Sequence, residues 1–230
     1  MKLLKRIEQR YPAHYLIVTG DITDDGDTEQ YGRAAEALSA FTGRMFICPG
    51  NHDFGAVGFI YDRNRAELFD ERLAKPLGQG GTFAGSNPPV VNVVKAGDES
   101  VMLIALDSNL ETEVPFDFAC GEISDRQLRG LEAILGNPDN AAMVKLLFFH
   151  HHPFMRNDPF MELKNARKLW PIVYGRLDVM LFGHRHVSEM WENKGEVRFV
   201  LAADNSPGKD YAREIAVSQK TITVQDVSIA

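Results

Sequence analysis

Cysteine is scarce: Cys48 and Cys120 are the only two in 230 residues. A chain of this length buries enough surface to hold its own core, so no disulfide framework is expected. No apolar run approaches the roughly 20 residues needed to cross a bilayer. The opening segment MKLLKRIEQR is charged throughout and lacks the apolar centre of a signal peptide. A cytoplasmic location is therefore the default expectation. Basic excess is also missing, since 25 Lys and Arg face 32 Asp and Glu, for a net charge of −7 and a pI near 5.5. That balance excludes broad electrostatic attraction to nucleic acid or to an anionic membrane, so a phosphate-bearing ligand would have to be drawn in by local cations. Internal repeats, low-complexity tracts and linkers are absent too, and a single domain over residues 1–230 is expected. Hydrophobic residues at 44% and charged residues at 25% are ordinary globular values, which argues against disorder and against a fibre.

What is present reads as alternating strands and helices, followed by strands alone. Leu3, Leu4 and Ile7 suggest a short amphipathic helix, and Tyr15 to Thr19 a buried strand ending at Gly20. Tyr31, Ala34, Ala35, Leu38 and Phe41 recur at helical spacing, with Gly43 as the stop, and Met45 to Cys48 reads as a second buried strand. A helix is expected from about Asp62 to Leu73, then extended segments at Val90 to Val94 and Val101 to Leu106. Ser124 resembles an N-cap for a helix whose apolar face is Leu128, Leu131 and Leu135. Two further apolar strands, at Val144 to Phe149 and Val179 to Phe182, flank a helical stretch around Leu163 to Leu169. After His186 only strands follow, at Arg198 to Ala202, Glu214 to Val217 and Thr221 to Val227. This pattern predicts an α/β fold, a two-sheet β-sandwich flanked by helices.

Four of the buried strands end in polar clusters: Gly20-Asp21-Ile-Thr-Asp24-Asp25-Gly26, Gly50-Asn51-His52-Asp53, His150-His151-His152-Pro153 and Gly183-His184-Arg185-His186. Six of the seven histidines lie in them. Taken singly, each has a plain explanation, because Gly-Asp after a strand is a common turn and Asn-His-Asp suits any polar loop. Taken together they point to metal chemistry, since the carboxyl ends of strands in an open α/β sheet converge on one crevice. His-x-His after a strand places both rings on one face, which suits metal binding better than packing. The mixture of carboxylate, amide oxygen and imidazole suits Mn, Fe, Zn or Co over an all-oxygen site.

In this order the four motifs resemble the calcineurin-like metallophosphoesterase superfamily. The resemblance implies hydrolysis of phosphodiester or phosphomonoester bonds by a metal-activated hydroxide, with two cations about 3.5–4 Å apart holding the phosphate and acidifying a shared water. It implies that Asp21 bridges the metals, that Asn51, His151 and His184 complete one site, and that His186 belongs to the other. Within the His triplet, aligning His-His-Pro with the family pattern favours His151, with His150 and His152 pointing away. The resemblance further implies that His52, oriented by Asp24, assists the leaving group. Arg185 and His152 are candidate contacts to substrate. The segment Leu106-Asp107-Ser108-Asn109, with Gln127-Leu128 further on, is similar to the cyclic-nucleotide-phosphodiesterase-like branch, which makes a small phosphoester, a cyclic nucleotide among them, the expected partner.

The chain departs from that pattern at one place. Members usually open with a strand ending in Asp-x-His, and none precedes Asp21. An N-terminally shortened form lacking that first strand is the expectation. One tightly held metal and open strand edges that favour homo-oligomers follow from it. A different class of reading is a catalytically impaired scaffold or binding protein that keeps the fold.

Overall fold

The computed structural model describes residues 2–56, 58–85, 87–109, 111, 119–154, 161–202, 204 and 209–229. After helix α1 (Lys2–Arg10), the chain lays down strand β1 (Leu16–Val18), helix α2 (Thr28–Leu38) and strand β2 (Met45–Ile47). A single turn, α3 (Asn51–Phe54), leads through the two-residue strands β3 (Gly55–Ala56) and β4 (Ile60–Tyr61) to α4 (Arg63–Phe69). The helix expected to reach Leu73 instead widens to a π turn over Asp70–Ala74. Strands β5 (Val90–Ala96) and β6 (Glu99–Ala105), helix α5 (Asp125–Gly136), strand β7 (Val144–Phe148), helix α6 (Ala166–Val173) and strand β8 (Val179–Phe182) follow. The chain closes with β9 (Glu189–Lys194), β10 (Val197–Ala202), β11 (Tyr211–Ser218) and β12 (Thr221–Ser228).

Six of these strands form one mixed sheet in the order β5-β6-β7-β8-β10-β9. Its centre is parallel, with Val101 opposite Val144, Leu146 opposite Val179 and Phe199 opposite Val179 on the other side, while β5 and β9 close the two edges antiparallel. Such a sheet must be covered on both faces, and it is. On one face α5 and α6 bury Leu128, Leu131, Leu169 and Val173 against Ile104, Leu147, Phe149 and Phe182. On the other, the parallel pair β1-β2 and α2 and α4 pack Ile47, Phe41, Phe69 and Leu73 against Leu103, Leu146 and Phe148, with Ile222 of β12 and Ile215 and Val217 of β11 on the same side. The two-layer sandwich flanked by helices is thus observed.

Local chemistry explains the element ends. Asp27 accepts from the Gln30 amide at the start of α2, and Ser124 accepts from Gln127 at the start of α5, as its sequence position predicts. Helix α6 begins three residues later than expected and accommodates Pro171 inside it. Strand β9 escapes sequence reading because Glu189-Met-Trp-Glu-Asn-Lys is a half-exposed edge strand with little apolar content. Both cysteines are buried, and they form no disulfide with each other. No helix among the described residues is long and apolar enough to cross a membrane.

One consequence of this layering is an open strand edge. Among the described residues β1 is hydrogen-bonded to β2 alone. Between β1 and β11 lies a cavity of about 910 Å³, lined by Leu16, Val18, Leu103, Leu146, Leu201 and Ile215 among others.

Candidate metal centre

The ends of β1, β2, β7 and β8 meet at one place. The His150 Nε2 atom lies 3.2 Å from Asp21 Oδ2, 3.1 Å from Asn51 Oδ1 and 3.1 Å from His184 Nδ1. Asp21, His150 and His184 are the one group of three metal-competent side chains whose ligand atoms all lie within 4.8 Å of one another among the described residues. Asn51 adds a fourth donor, and its amide is set for that role because Nδ2 donates to the Gly58 carbonyl at 2.9 Å, turning Oδ1 inward.

Each donor is aimed by its surroundings. His150 donates from Nδ1 to the Thr19 carbonyl at 2.7 Å, which leaves Nε2 to face the cluster. Asp21 at φ 54° and His184 at φ 72° lie in the left-handed region, an uncommon conformation for residues with a Cβ and one that concentrates at functional sites. The loops themselves are tied together by Asp53. Its fully buried carboxylate accepts from the amides of Ile22, Thr23 and Gly50 and from the Thr23 hydroxyl, all at 2.9–3.0 Å. Gly50 is needed where these loops touch, because a Cβ there would lie 2.1 Å from Asp21 Oδ1.

The electrostatics favour a cation. Burial acts to raise the pKa of Asp21, but the charge and hydrogen bond of His150, with help from His52, hold it down at about 2. Burial lowers His184 to about 3, and the nearby His150 adds to the effect, so this imidazole is neutral, with one ring nitrogen free to offer its lone pair. Burial works against protonation of His150 too, yet the Asp21 carboxylate and the Thr19 carbonyl raise its pKa. Burial, then the Asp21 charge, push Asp53 up to about 6 against the pull of its backbone donors. One carboxylate oxygen, one amide oxygen and two imidazole nitrogens form a mixed O/N set suited to a first-row divalent metal. Among the described residues the buried Nε2 atom of His184 has no hydrogen-bond partner, which also marks a polar site built for something more than packing. The residues present therefore fit a divalent cation.

The geometry differs from the sequence reading at two residues. His150, not His151, joins Asp21, Asn51 and His184; the His151 ring lies 4.6 Å from that of His184 but outside the ligand-atom cluster, and its Nδ1 is hydrogen-bonded to the Ser108 hydroxyl at 2.8 Å. Strand alternation explains this, because β7 sends Phe148 toward β1 and Phe149 toward the helices, so the next residue, His150, returns to the β1 side. Asp24 orients His52 through its main-chain carbonyl, 2.9 Å from His52 Nδ1, and its carboxylate plays no part in that bond. His186, which the family resemblance assigns to the other metal site, is exposed at φ 52° and lies outside this cluster. Of the candidate substrate contacts, His152 is buried with its Nε2 3.6 Å from Glu189, and Arg185 is exposed beside the same residues. Sequence reasoning singled out the segment that contains Ser108 but gave the residue no role; its buried hydroxyl also accepts from the amides of His150 and His151 at 3.3 and 3.1 Å. Its position directly after a buried strand is the signal that was there to read.

The fold and this cluster define an α/β sandwich whose metal-competent side chains gather from four strand-end loops. The chain belongs to the calcineurin-like phosphoesterase family, whose sequence pattern it matches over residues 1–188. It is 27% identical over 201 residues to the 3′,5′-cyclic adenosine monophosphate phosphodiesterase CpdA of Haemophilus influenzae, covering 83% of this chain and 62% of that protein. It is also 27% identical over 176 residues to the glycerophosphodiester phosphodiesterase GpdQ of Enterobacter lignolyticus, covering 74% and 55%. The chain thus spans little more than half of these relatives' own length. Its fold is similar to that of a dimetal phosphatase from Danio rerio, with a TM-score of 0.69, 17% identity, and coverage of 99% of this chain and 86% of that one.

Proposed function

We propose that this chain is a metal-dependent phosphoesterase acting on small phosphodiesters, with cyclic nucleotides the favoured class. The observation that carries the reading is the convergence of Asp21, Asn51, His150 and His184 on one point, with His52 at its rim. These four would hold a divalent cation of the Mn, Fe, Zn or Co kind, which would supply Lewis acidity toward phosphate and lower the pKa of a bound water. The protein's own part is positioning. His52 donates its main-chain amide to Asp21 Oδ1 at 3.2 Å, so the leaving-group residue and the ligand carboxylate move as one unit. With Nδ1 committed to the Asp24 carbonyl, the His52 ring has only Nε2 left to meet a substrate, where in its protonated form it hands a proton to the departing oxygen. The curated relatives are named for phosphodiester substrates, one of them a cyclic nucleotide, which supports the substrate class.

Hydrolysis of bis-p-nitrophenyl phosphate with added Mn tests this. Activity is expected to appear with metal, to vanish with chelator, and to fall at least about a hundredfold in Asp21→Asn. Inactivity with every one of Mn, Fe, Zn and Co would overturn the reading in favour of a binding protein on the same scaffold.

A further inference from the structure

Two residues past His150, and directly after His184, the chain builds a second feature that the metal centre does not use. A cavity of about 520 Å³ opens there, lined by His152, Phe154, Trp170, Arg185, Trp191 and neighbours. That volume falls in the range of about 300–1,000 Å³ typical of small-molecule sites. Its walls are aromatic. Phe154 stacks on Trp170 with centroids 5.0 Å apart and meets Trp191 at 5.4 Å, and these are the only two tryptophans in the chain. The Lys194 ammonium stands 4.2 Å above the Phe154 ring and 4.6 Å above that of Trp191. At the β9-β10 turn, Gly195 lets the backbone close on Trp170, since a Cβ there would lie 2.8 Å from its ring.

The polar groups on these walls are specific. His152 is 1% exposed, and its Nδ1 accepts from the Phe154 amide at 3.1 Å, so in the neutral ring the hydrogen is on Nε2. That Nε2 is buried without a hydrogen-bond partner, and the nearest carboxylate, Glu189, is 3.6 Å away, beyond hydrogen-bond length. A buried donor left unmatched beside an aromatic cavity calls for an acceptor from a ligand. The cavity thus offers one fixed donor, one carboxylate acceptor in Glu189, two cations and ring surfaces for stacking. A lipid chain would strand His152 and Glu189 without partners, and a cationic ligand would meet Arg185 and Lys194. A flat heteroaromatic ring with both donors and acceptors on its edge satisfies all of them.

We propose that this cavity is the subsite for the nucleobase of a nucleotide substrate whose phosphate occupies the neighbouring metal centre. The placement of the phosphate rests on the phosphoesterase reading above; the base subsite stands on its own geometry. Because both tryptophans line the cavity, intrinsic fluorescence reports on it directly. Chelated protein is titrated with adenosine, which carries no phosphate, so neither metal nor hydrolysis contributes. Saturable quenching by adenosine but not by ribose 5-phosphate is expected, and Glu189→Gln and Trp191→Ala are each expected to weaken binding by about tenfold. Absence of quenching at millimolar adenosine, equal quenching by ribose 5-phosphate, or unchanged affinity in both variants would overturn the subsite. Bis-p-nitrophenyl phosphate hydrolysis, measured separately, keeps the two readings apart: turnover without adenosine binding removes the subsite alone, and adenosine binding without turnover supports the subsite and removes the hydrolytic reading.

Discussion

Gly50→Ala isolates the packing that holds the metal ligands in register. Gly50 has φ −104°, which any residue adopts, so alanine adds no backbone strain and the effect is one of space alone. The added methyl would lie 2.1 Å from Asp21 Oδ1 and 2.5 Å from the Asp21 amide nitrogen. Relief requires the carboxylate to retreat by more than an ångström. Asp21 has little freedom to do so, because Asp53 pins the next two amides, of Ile22 and Thr23, and also the Gly50 amide itself. Overpacking of this kind costs about 1–3 kcal/mol. Moving a carboxylate that both ligates and accepts from the His52 amide should lower metal affinity by at least about tenfold. Misplacement on this scale should lower turnover by about a hundredfold even at saturating metal. Urea unfolding with and without Mn, metal titration, and hydrolysis of bis-p-nitrophenyl phosphate measure the three effects. The control is Gly32→Ala in the middle of α2, where no heavy atom lies within 4 Å of the added methyl and the change should stabilise by about 0.5–1 kcal/mol. Wild-type metal affinity and stability in Gly50→Ala would show that Asp21 is not held against Gly50 as described.

Two other outcomes follow from the same geometry. Replacing His150 with Asn should abolish tight metal binding, whereas His151→Asn should keep it and mainly lose the Ser108 hydrogen bond; isothermal titration separates them, and the reverse order would restore the sequence-based assignment. Asp107, 4% exposed, has its pKa raised by burial from 3.8 to about 7, against the opposing hydrogen bonds from Asn109. Below about pH 4 the group is protonated in folded and unfolded chains alike; above that the unfolded chain releases the proton first, so its stabilising contribution is lost as pH rises through about 7. Urea midpoints between pH 5 and 8 should therefore fall with rising pH, and Asp107→Asn should flatten that slope; an unchanged slope would rule Asp107 out as its source.

The reach of sequence reading here has a physical boundary. The four motif clusters were legible because each is contiguous and follows an apolar run, so strand and loop announce each other; Asp21, Asn51 and His184, read from them, lie together beside His150. The choice within His150-His151-His152 was not legible, since alternation fixes only that neighbours diverge, and which face carries the site is decided by β1 and β2 lying across from Phe148. Asp24 shows the same limit, because a side chain can be read from sequence while the use of its carbonyl cannot. Edge strand β9 lacked an apolar face, yet it brings Trp191 and Lys194 to the aromatic cavity.

The left-handed backbone at Asp21 and His184 has a consequence for how this chain changes over time. At such positions glycine or asparagine costs the fold less, by amounts of order 1 kcal/mol. Selection for thermal robustness alone would drift toward those residues and discard the chemistry step by step, with each step looking like an improvement. That Asp21 and His184 hold a carboxylate and an imidazole of the candidate metal cluster means that stability and ligation pull the sequence in opposite directions there. A directed-evolution campaign on this scaffold should screen for metal retention alongside melting temperature.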